Sequence, residues 1–209
     1  MISLAYIVRN EEYYIERSIR SAIDIADELV VVDAISDDRT VEICKEFGAI
    51  VVESEWDDDF SHARNIAVAH CSEPWVFMLD ADEHLEGESL DLLKRAIDIA
   101  DEDEIVAYQL MRKNHYPSHD SDSGFFTKPF YPDFQTRLFK NIPEIYFSGR
   151  VHEGVVQAIE MSGVGGIGRV PVTIHHHMFR GDKDKYERIK LEYYQQLQEM
   201  DDNTSSEVD

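Results

Sequence analysis

Cysteine is scarce. Cys44 and Cys71 belong to no motif and read as buried or half-buried thiols in a reducing compartment. Long apolar runs are missing too. None approaches the roughly 20 residues that span a bilayer. The stretch Met1-Ile2-Ser3-Leu4 carries no basic region, so no signal peptide is expected and the expected location is cytoplasmic. Positive charge is short: 20 Lys and Arg stand against 43 Asp and Glu, a formal net charge of -23. That excludes nucleic acid as a partner, since phosphates would go unneutralised, and disfavours anionic lipid. Two readings of the acidity stand: adaptation to high salt (a halophilic protein), slightly favoured because salt screens self-repulsion, and a soluble acidic protein with a disordered tail. Finally, no Gly-x-Gly-x-x-Gly follows the first strand and no Gly-x-x-x-x-Gly-Lys-Ser/Thr occurs. A bound diphosphate would therefore need other cations.

What is present centres on Trp75-Val76-Phe77-Met78-Leu79-Asp80-Ala81-Asp82-Glu83. Five apolar residues run into three carboxylates. The run has the composition of a strand buried on both faces, which delivers Asp80 and Asp82 to the rim of a sheet. Asp-x-Asp occurs five times in the chain, but only this pair follows a buried-strand pattern. Carboxylates crowded at such a rim are tolerable if water or a divalent cation reaches them.

The remainder alternates. Ile2 to Val8, Leu29 to Val32 and Ile50 to Val52 read as strands. Ile15, Ile19, Ala22, Ile23 and Ala26 fall on one helical face. Helices are expected over 40–47, with Gly48 as its cap, over 60–70 and over Leu90 to Ala100, and a further strand over Ile105 to Met111. This is the pattern of an α/β domain with a mostly parallel central sheet flanked by helices. Ligands of such sheets bind at strand carboxyl ends, where Asn10, Asp33, Asp80 and Asp82 all fall. From Asn114 to Pro132 a long loop is expected, a lid or binding loop or else a partly disordered insertion. Thr136 to Phe139 and Ile145 to Phe147 read as short strands, and Gly163 to Gly168 as a glycine-rich turn between strands. His175, His176 and His177 lie in strand-like sequence, with 175 and 177 on one face and 176 on the other. Lys183 to Met200 is an amphipathic helix carrying Tyr186, Ile189, Tyr193, Leu197 and Met200. It either packs on its own domain, the favoured reading, or forms a homodimer surface.

These segments resemble the family-2 glycosyltransferases, which have the GT-A fold. The resemblance rests on Ile7-Val8-Arg9-Asn10-Glu11-Glu12, on Val31 to Thr40, on Trp56 to Asn65 and on Leu79 to Glu83, in matching order over about 80 residues. More loosely it extends through Gln135 to Asn141, Gly149-Arg150-Val151-His152-Glu153 and the histidines near 177. It implies a single GT-A-like, Rossmann-like domain over 1–200. A nucleotide-sugar-binding half would occupy 1–112 and an acceptor and metal half, with a small C-terminal β region, 113–182. The helix would fill 183–200, before an acidic tail at 201–209. It further implies inverting transfer of a sugar from a nucleotide-diphosphate donor to a glycan, lipid or protein acceptor, with Mn²⁺ or Mg²⁺. Val8, Asn10, Glu12, Asp33, Arg64, Asp80, Ala81 and Asp82 would bind the nucleotide-sugar. Asp33 would contact the base, Arg64 the base and diphosphate, and Asp80 the ribose. Asp82 and His177 would hold the metal, with His175 the next candidate. Glu153 would be the general base. One departure is clear: the family's Thr-Gly-Ser after the aspartate is here Ala34-Ile35-Ser36, which removes an easy positive-φ position. A non-catalytic nucleotide-sugar-binding or partner-binding protein of the same fold is the alternative. A nucleotidyltransferase would usually show a glycine- and lysine-rich loop after the first strand, and none is present.

Overall fold

A computed structural model describes residues 1–117, 125–127, 133–177 and 192–198. In chain order the elements are β1 (Ile2–Val8), α1 (Ile15–Ala22), β2 (Glu28–Asp33), α2 (Thr40–Glu46), β3 (Ile50–Glu53), α3 (Phe60–His70) and β4 (Trp75–Met78). Then come β5 (Glu83–Leu85), α4 (Ser89–Ile99), β6 (Ile105–Pro117), β7 (Phe125–Thr127), β8 (Asp133–Lys140), α5 (Val156–Ser162) and β9 (Gly166–His177). A helical stretch over 192–198 follows. Among the described residues the strands form one sheet in the order β3-β2-β1-β4-β8-β6-β9-β5, with β7 paired to β6.

The sheet has two characters. β3, β2, β1 and β4 are parallel, as the strand–helix alternation requires. β8 then joins β4 antiparallel, β6 joins β8 antiparallel, β9 runs parallel to β6, and β5 runs antiparallel to β9. The C-terminal strands thus extend the same sheet. β4 lies mid-sheet and is buried throughout. Its alternate residues feed two cores: Trp75 and Phe77 pack with Ile15, Ile19 and Leu93 on one face, Val76 and Met78 with Ala67, Phe139 and Ile159 on the other. At about 1.5–3 kcal/mol per large buried side chain, this strand anchors both layers. α1 and α4 cover the first face, α3 and α5 the second.

Three expectations change. Ile145 and Phe147 are buried and Tyr146 between them is exposed, but the segment is not a strand, and its surroundings hold only an isolated bridge between Ser148 and Gly154. The Asn65 side chain replaces a ladder partner: Nδ2 donates to the Phe147 carbonyl at 2.9 Å and Oδ1 accepts from the Phe147 amide at 2.8 Å. The glycines from 163 follow a helix, α5, rather than a strand. Gly163 caps it at φ 66°, its amide donating to the Ile159 carbonyl at 3.0 Å. Four-residue periodicity is hard to see in a seven-residue helix. The long loop expected from Asn114 starts later, because β6 continues to Pro117 and pairs with β7. The rest of that loop, most of the helix expected at 183–200 and the tail at 201–209 lie outside the described residues. Within 192–198, Leu197 is buried and the Tyr193 hydroxyl accepts a hydrogen bond from the Trp56 indole, so this part packs on its own domain.

Candidate functional site

A cleft of about 1030 Å³ opens over the carboxyl ends of β1, β2 and β4. It is lined by Val8, Val32, Ala34, Trp56, Arg64, Asp80, Ala81, Asp82, Arg112, Arg137, Glu153, His176 and Tyr193, among others. β4 ends as the Leu79 amide donates to Ala5 at 3.1 Å. The chain then reverses in a tight turn: the Glu83 amide donates to the Asp80 carbonyl at 2.9 Å, and the Asp80 amide to Glu83 Oε2 at 3.1 Å. This turn sends Asp82 across to β9.

Asp80 does not present a free carboxylate. Arg64 Nη2 donates to Oδ1 at 2.8 Å and Arg137 Nη2 to Oδ2 at 2.5 Å. Burial opposes its charge, but Arg137 and then Arg64 outweigh burial and hold the group far below the usual carboxylate range. Glu83 is fully buried and accepts from Arg137 Nη2 at 2.7 Å. Burial, with Asp80 adding to it, pushes its pKa up. Arg64 is fixed on α3, whose N-terminus is capped by Asp59 accepting from the His62 amide at 3.0 Å. Its Nε donates to Glu153 Oε1 at 2.7 Å. Among the described residues, Arg64 Nη1 and Arg137 Nε are buried with no hydrogen-bond partner. Unmet buried donors cost about 1–3 kcal/mol each, and an anion in the cleft would recover that.

Asp82 meets His176. Its Oδ2 lies 3.0 Å from His176 Nε2, while its carbonyl accepts from the His177 amide at 2.9 Å. Asn114 Oδ1 sits 2.6 Å from His176 Nδ1. An amide oxygen only accepts, so Nδ1 carries hydrogen; Nε2–H donates to Asp82 as the structure stands, and a ring that gives up that proton turns its Nε2 lone pair to the same place. The 3.0 Å gap matches the edge of an octahedron with metal–ligand bonds of roughly 2.0–2.2 Å. Burial opposes protonation of His176, but the Asp82 charge and hydrogen bond raise its pKa overall. The expected pairing of Asp82 with His177 therefore gives way to Asp82 with His176. β9 pairs with β5 so that His176 faces Glu83, and alternation turns 175 and 177 to the opposite side.

There the two rings join His84 and His115. Ring centroids lie 4.7–5.2 Å apart: His84 to His177 4.9 Å, His84 to His175 5.2 Å, His115 to His175 5.1 Å and His115 to His177 4.7 Å. Burial, followed by neighbouring cations and imidazoles, pushes His177 down to about 4.

Of the other expected residues, Val8, Ala81 and Glu153 line the cleft, whereas Asn10, Glu12 and Asp33 stitch the adjacent turn. Asp33 accepts from the Ser36 amide at 2.9 Å and the Ser36 hydroxyl at 2.5 Å. The Asn10 amide donates to Ser36 Oγ at 2.9 Å, Asn10 Oδ1 accepts from the Asp37 amide at 2.9 Å, and Glu12 accepts from the Arg39 amide at 3.2 Å. Ile35 keeps a positive φ of 56° although it is β-branched. Sequence reasoning assigned no role to Arg137, Glu83, Arg112 or Tyr193. An arginine within the apolar run Leu138-Phe139 was the available signal for Arg137. At the far end of the cleft, the Tyr193 hydroxyl donates to Asp58 Oδ1 at 2.6 Å and accepts from the Trp56 indole at 2.7 Å.

A parallel half-sheet with helices on both faces, extended by antiparallel strands and opening an acidic cleft at its strand ends, defines an α/β protein of the GT-A kind. The chain belongs to glycosyl transferase family 2, whose family model matches residues 3–153. It is 36% identical over 152 residues to a TPR repeat-containing protein of Synechococcus elongatus, covering 73% of this chain and 34% of that protein. The chain spans about a third of the length of the curated relatives it matches. In fold it is similar to S. aureus TarS, at TM-score 0.60 and 19% identity, covering 91% of this chain and 38% of that one. It is similar also to glucosyl-3-phosphoglycerate synthase from Mycobacterium tuberculosis, solved with Mn²⁺, UDP and phosphoglyceric acid. There the TM-score is 0.60 at 19% identity, covering 87% of this chain and 72% of that one. No helix among the described residues is long and apolar enough to cross a membrane.

Proposed function

We propose that the chain transfers a sugar from a nucleotide-diphosphate donor to an acceptor hydroxyl by one inverting displacement, with Mn²⁺, or Mg²⁺, as cofactor. The observation that carries this is the meeting of Asp82 with His176 in the same cleft as Glu153 and the arginine-clamped Asp80. Asp82 Oδ2 and His176 Nε2 would hold the ion, a mixed oxygen and nitrogen set that suits Mn²⁺ better than Mg²⁺. When bound, the ion offsets negative charge growing on the departing diphosphate. A solved neighbour of the same fold contains Mn²⁺ with UDP, which supports the choice.

Arg64 and Arg137 contribute buried positive groups to a cleft that Arg9 and Arg112 also line, and the Arg64 nitrogen left without a partner is a donor for a phosphate oxygen. Asp80 acts through them, holding both guanidiniums in place. Val32, Ala34 and Trp56 offer the surface on which a base would lie, and Asp33, Asn10 and Glu12 shape the turn beside it. Among the described residues Glu153 Oε2 accepts no hydrogen bond, so it can take the acceptor's proton. The acceptor oxygen then bonds to the anomeric carbon as the carbon–phosphate-oxygen bond breaks, and the nucleoside diphosphate leaves with the electron pair.

The test is release of nucleoside diphosphate from a panel of nucleotide-sugars, with and without Mn²⁺. At least one donor should give metal-dependent release that Asp82→Ala abolishes. Release from none, with nucleotide binding unchanged in Asp82→Ala, would defeat the reading.

A further inference from the structure

On the side of β5 and β9 turned away from Asp82, three potential ligand atoms converge. His84, Glu86 and His175 each offer one atom, all within 4.8 Å of one another. Glu86 spans the two rings: Oε1 lies 3.1 Å from His84 Nε2 and Oε2 lies 3.7 Å from His175 Nε2. The two imidazoles are already oriented. Arg17 Nη2 lies 2.5 Å from His84 Nε2. Arginine has no acceptor atom, so His84 Nε2 must hold a lone pair aimed at this spot. His175 engages His115 through Nδ1 at 2.9 Å, which leaves its Nε2 pointing at Glu86. A ring nitrogen tied by a neighbour while the other faces the ion is the usual support of a metal-bound histidine.

We propose that His84, Glu86 and His175 form a second divalent transition-metal site, taking Zn²⁺, on the face of β5 and β9 opposite the sugar-transfer cleft. Two imidazoles and a carboxylate are a common zinc donor set, with water completing the tetrahedron. Ligand atoms of such a tetrahedron sit about 3.4 Å apart for bonds near 2.1 Å; the three atoms now lie within 4.8 Å of one another, so a modest inward turn of the exposed Glu86 side chain closes the set. The place is occupied by a cation as it stands. The Arg17 guanidinium bonds His84 and lies 3.7 Å from Glu86 Oε1. Its side chain is 55% exposed, so it can swing into solvent as the metal enters. The ion would tie the segment after β5 to the end of β9. It thereby fixes the strand pair that carries His176 on one side and the Asp82 turn on the other. The site is independent of the sugar-transfer reading, because it uses neither Asp82 nor His176.

The test uses the untagged chain, stripped with chelator and titrated with Co²⁺ followed by competing Zn²⁺. One Co²⁺ should give the visible absorption of low-coordinate nitrogen and oxygen ligation, displaced by Zn²⁺. His175→Ala should weaken it by more than about 100-fold, beyond the loss expected for an outer-shell partner. Glu86→Gln, on an exposed side chain, should weaken it too, and Arg17→Ala should tighten it. Asp82→Ala should leave it unchanged. The proposal is overturned if no such absorption develops, if Glu86→Gln and His175→Ala bind like the parent, or if Asp82→Ala removes the band.

Discussion

Ile35 stands where the resemblance implies a glycine, and it takes a left-handed conformation at φ 56°. Holding a residue with a Cβ in the left-handed region costs roughly 1–2 kcal/mol, and β-branching adds to the crowding. Little offsets this, because the side chain is 58% exposed. The turn is held from outside Ile35 by Ser36, whose amide and hydroxyl donate to Asp33 and whose oxygen accepts from the Asn10 amide. The backbone therefore stays put in Ile35→Gly, and the strain is removed. Against this, glycine loosens the unfolded chain by about 0.4–1 kcal/mol. The balance favours the variant by about 0.5–1 kcal/mol, or a Tm rise of roughly 1–4 °C for a chain of this size. Thermal unfolding followed by circular dichroism measures it, with Ile35→Ala as control. Alanine retains the Cβ and should gain less than glycine. A Tm for Ile35→Gly equal to or below the parent, or an Ile35→Ala gain as large, would refute the strain argument.

Glu153→Gln should leave donor binding intact and lower turnover by about 10²–10⁴-fold, the usual contribution of a general base; equal turnover would reject Glu153 in that role. Arg137→Met should cost up to about 3–5 kcal/mol, because Glu83 is left buried beside Asp80 with only the more distant Arg112, at 3.8 Å, to balance it. Urea unfolding reads this, and a loss under 1 kcal/mol would mean the pair is dispensable. With a formal charge of -23, the fold should gain stability in molar KCl, since the Debye length there falls to about 3 Å. A melting temperature flat in KCl would remove the high-salt reading.

The elements whose pattern and neighbours agree could be read in the sequence. β4 lies within the apolar run Trp75 to Leu79 that precedes the acids, and α3 runs over Phe60–His70 after a run of capping acids, as expected. Ile145 to Phe147 misled because burial there comes from packing while the backbone is satisfied by Asn65, 82 positions away. Alternation could say that His175 and His177 share a face. It could not say which face meets Asp82, because that is decided by the register of β9 against β5. Arg137 and Glu83 escaped for a related reason. A buried ion network is legible only once the strands that carry its members are side by side, and β8 reaches β4 from 57 residues beyond Asp80.

Sugar transfer as proposed requires a cation between Asp82 and His176. Calorimetric titration of UDP and GDP in Mn²⁺, and again in chelator, should show binding that requires the metal. That binding should vanish in Asp82→Ala and His176→Ala and survive in His177→Ala. Tight nucleotide binding in chelator, or an Asp82→Ala protein that binds like the parent, would contradict it.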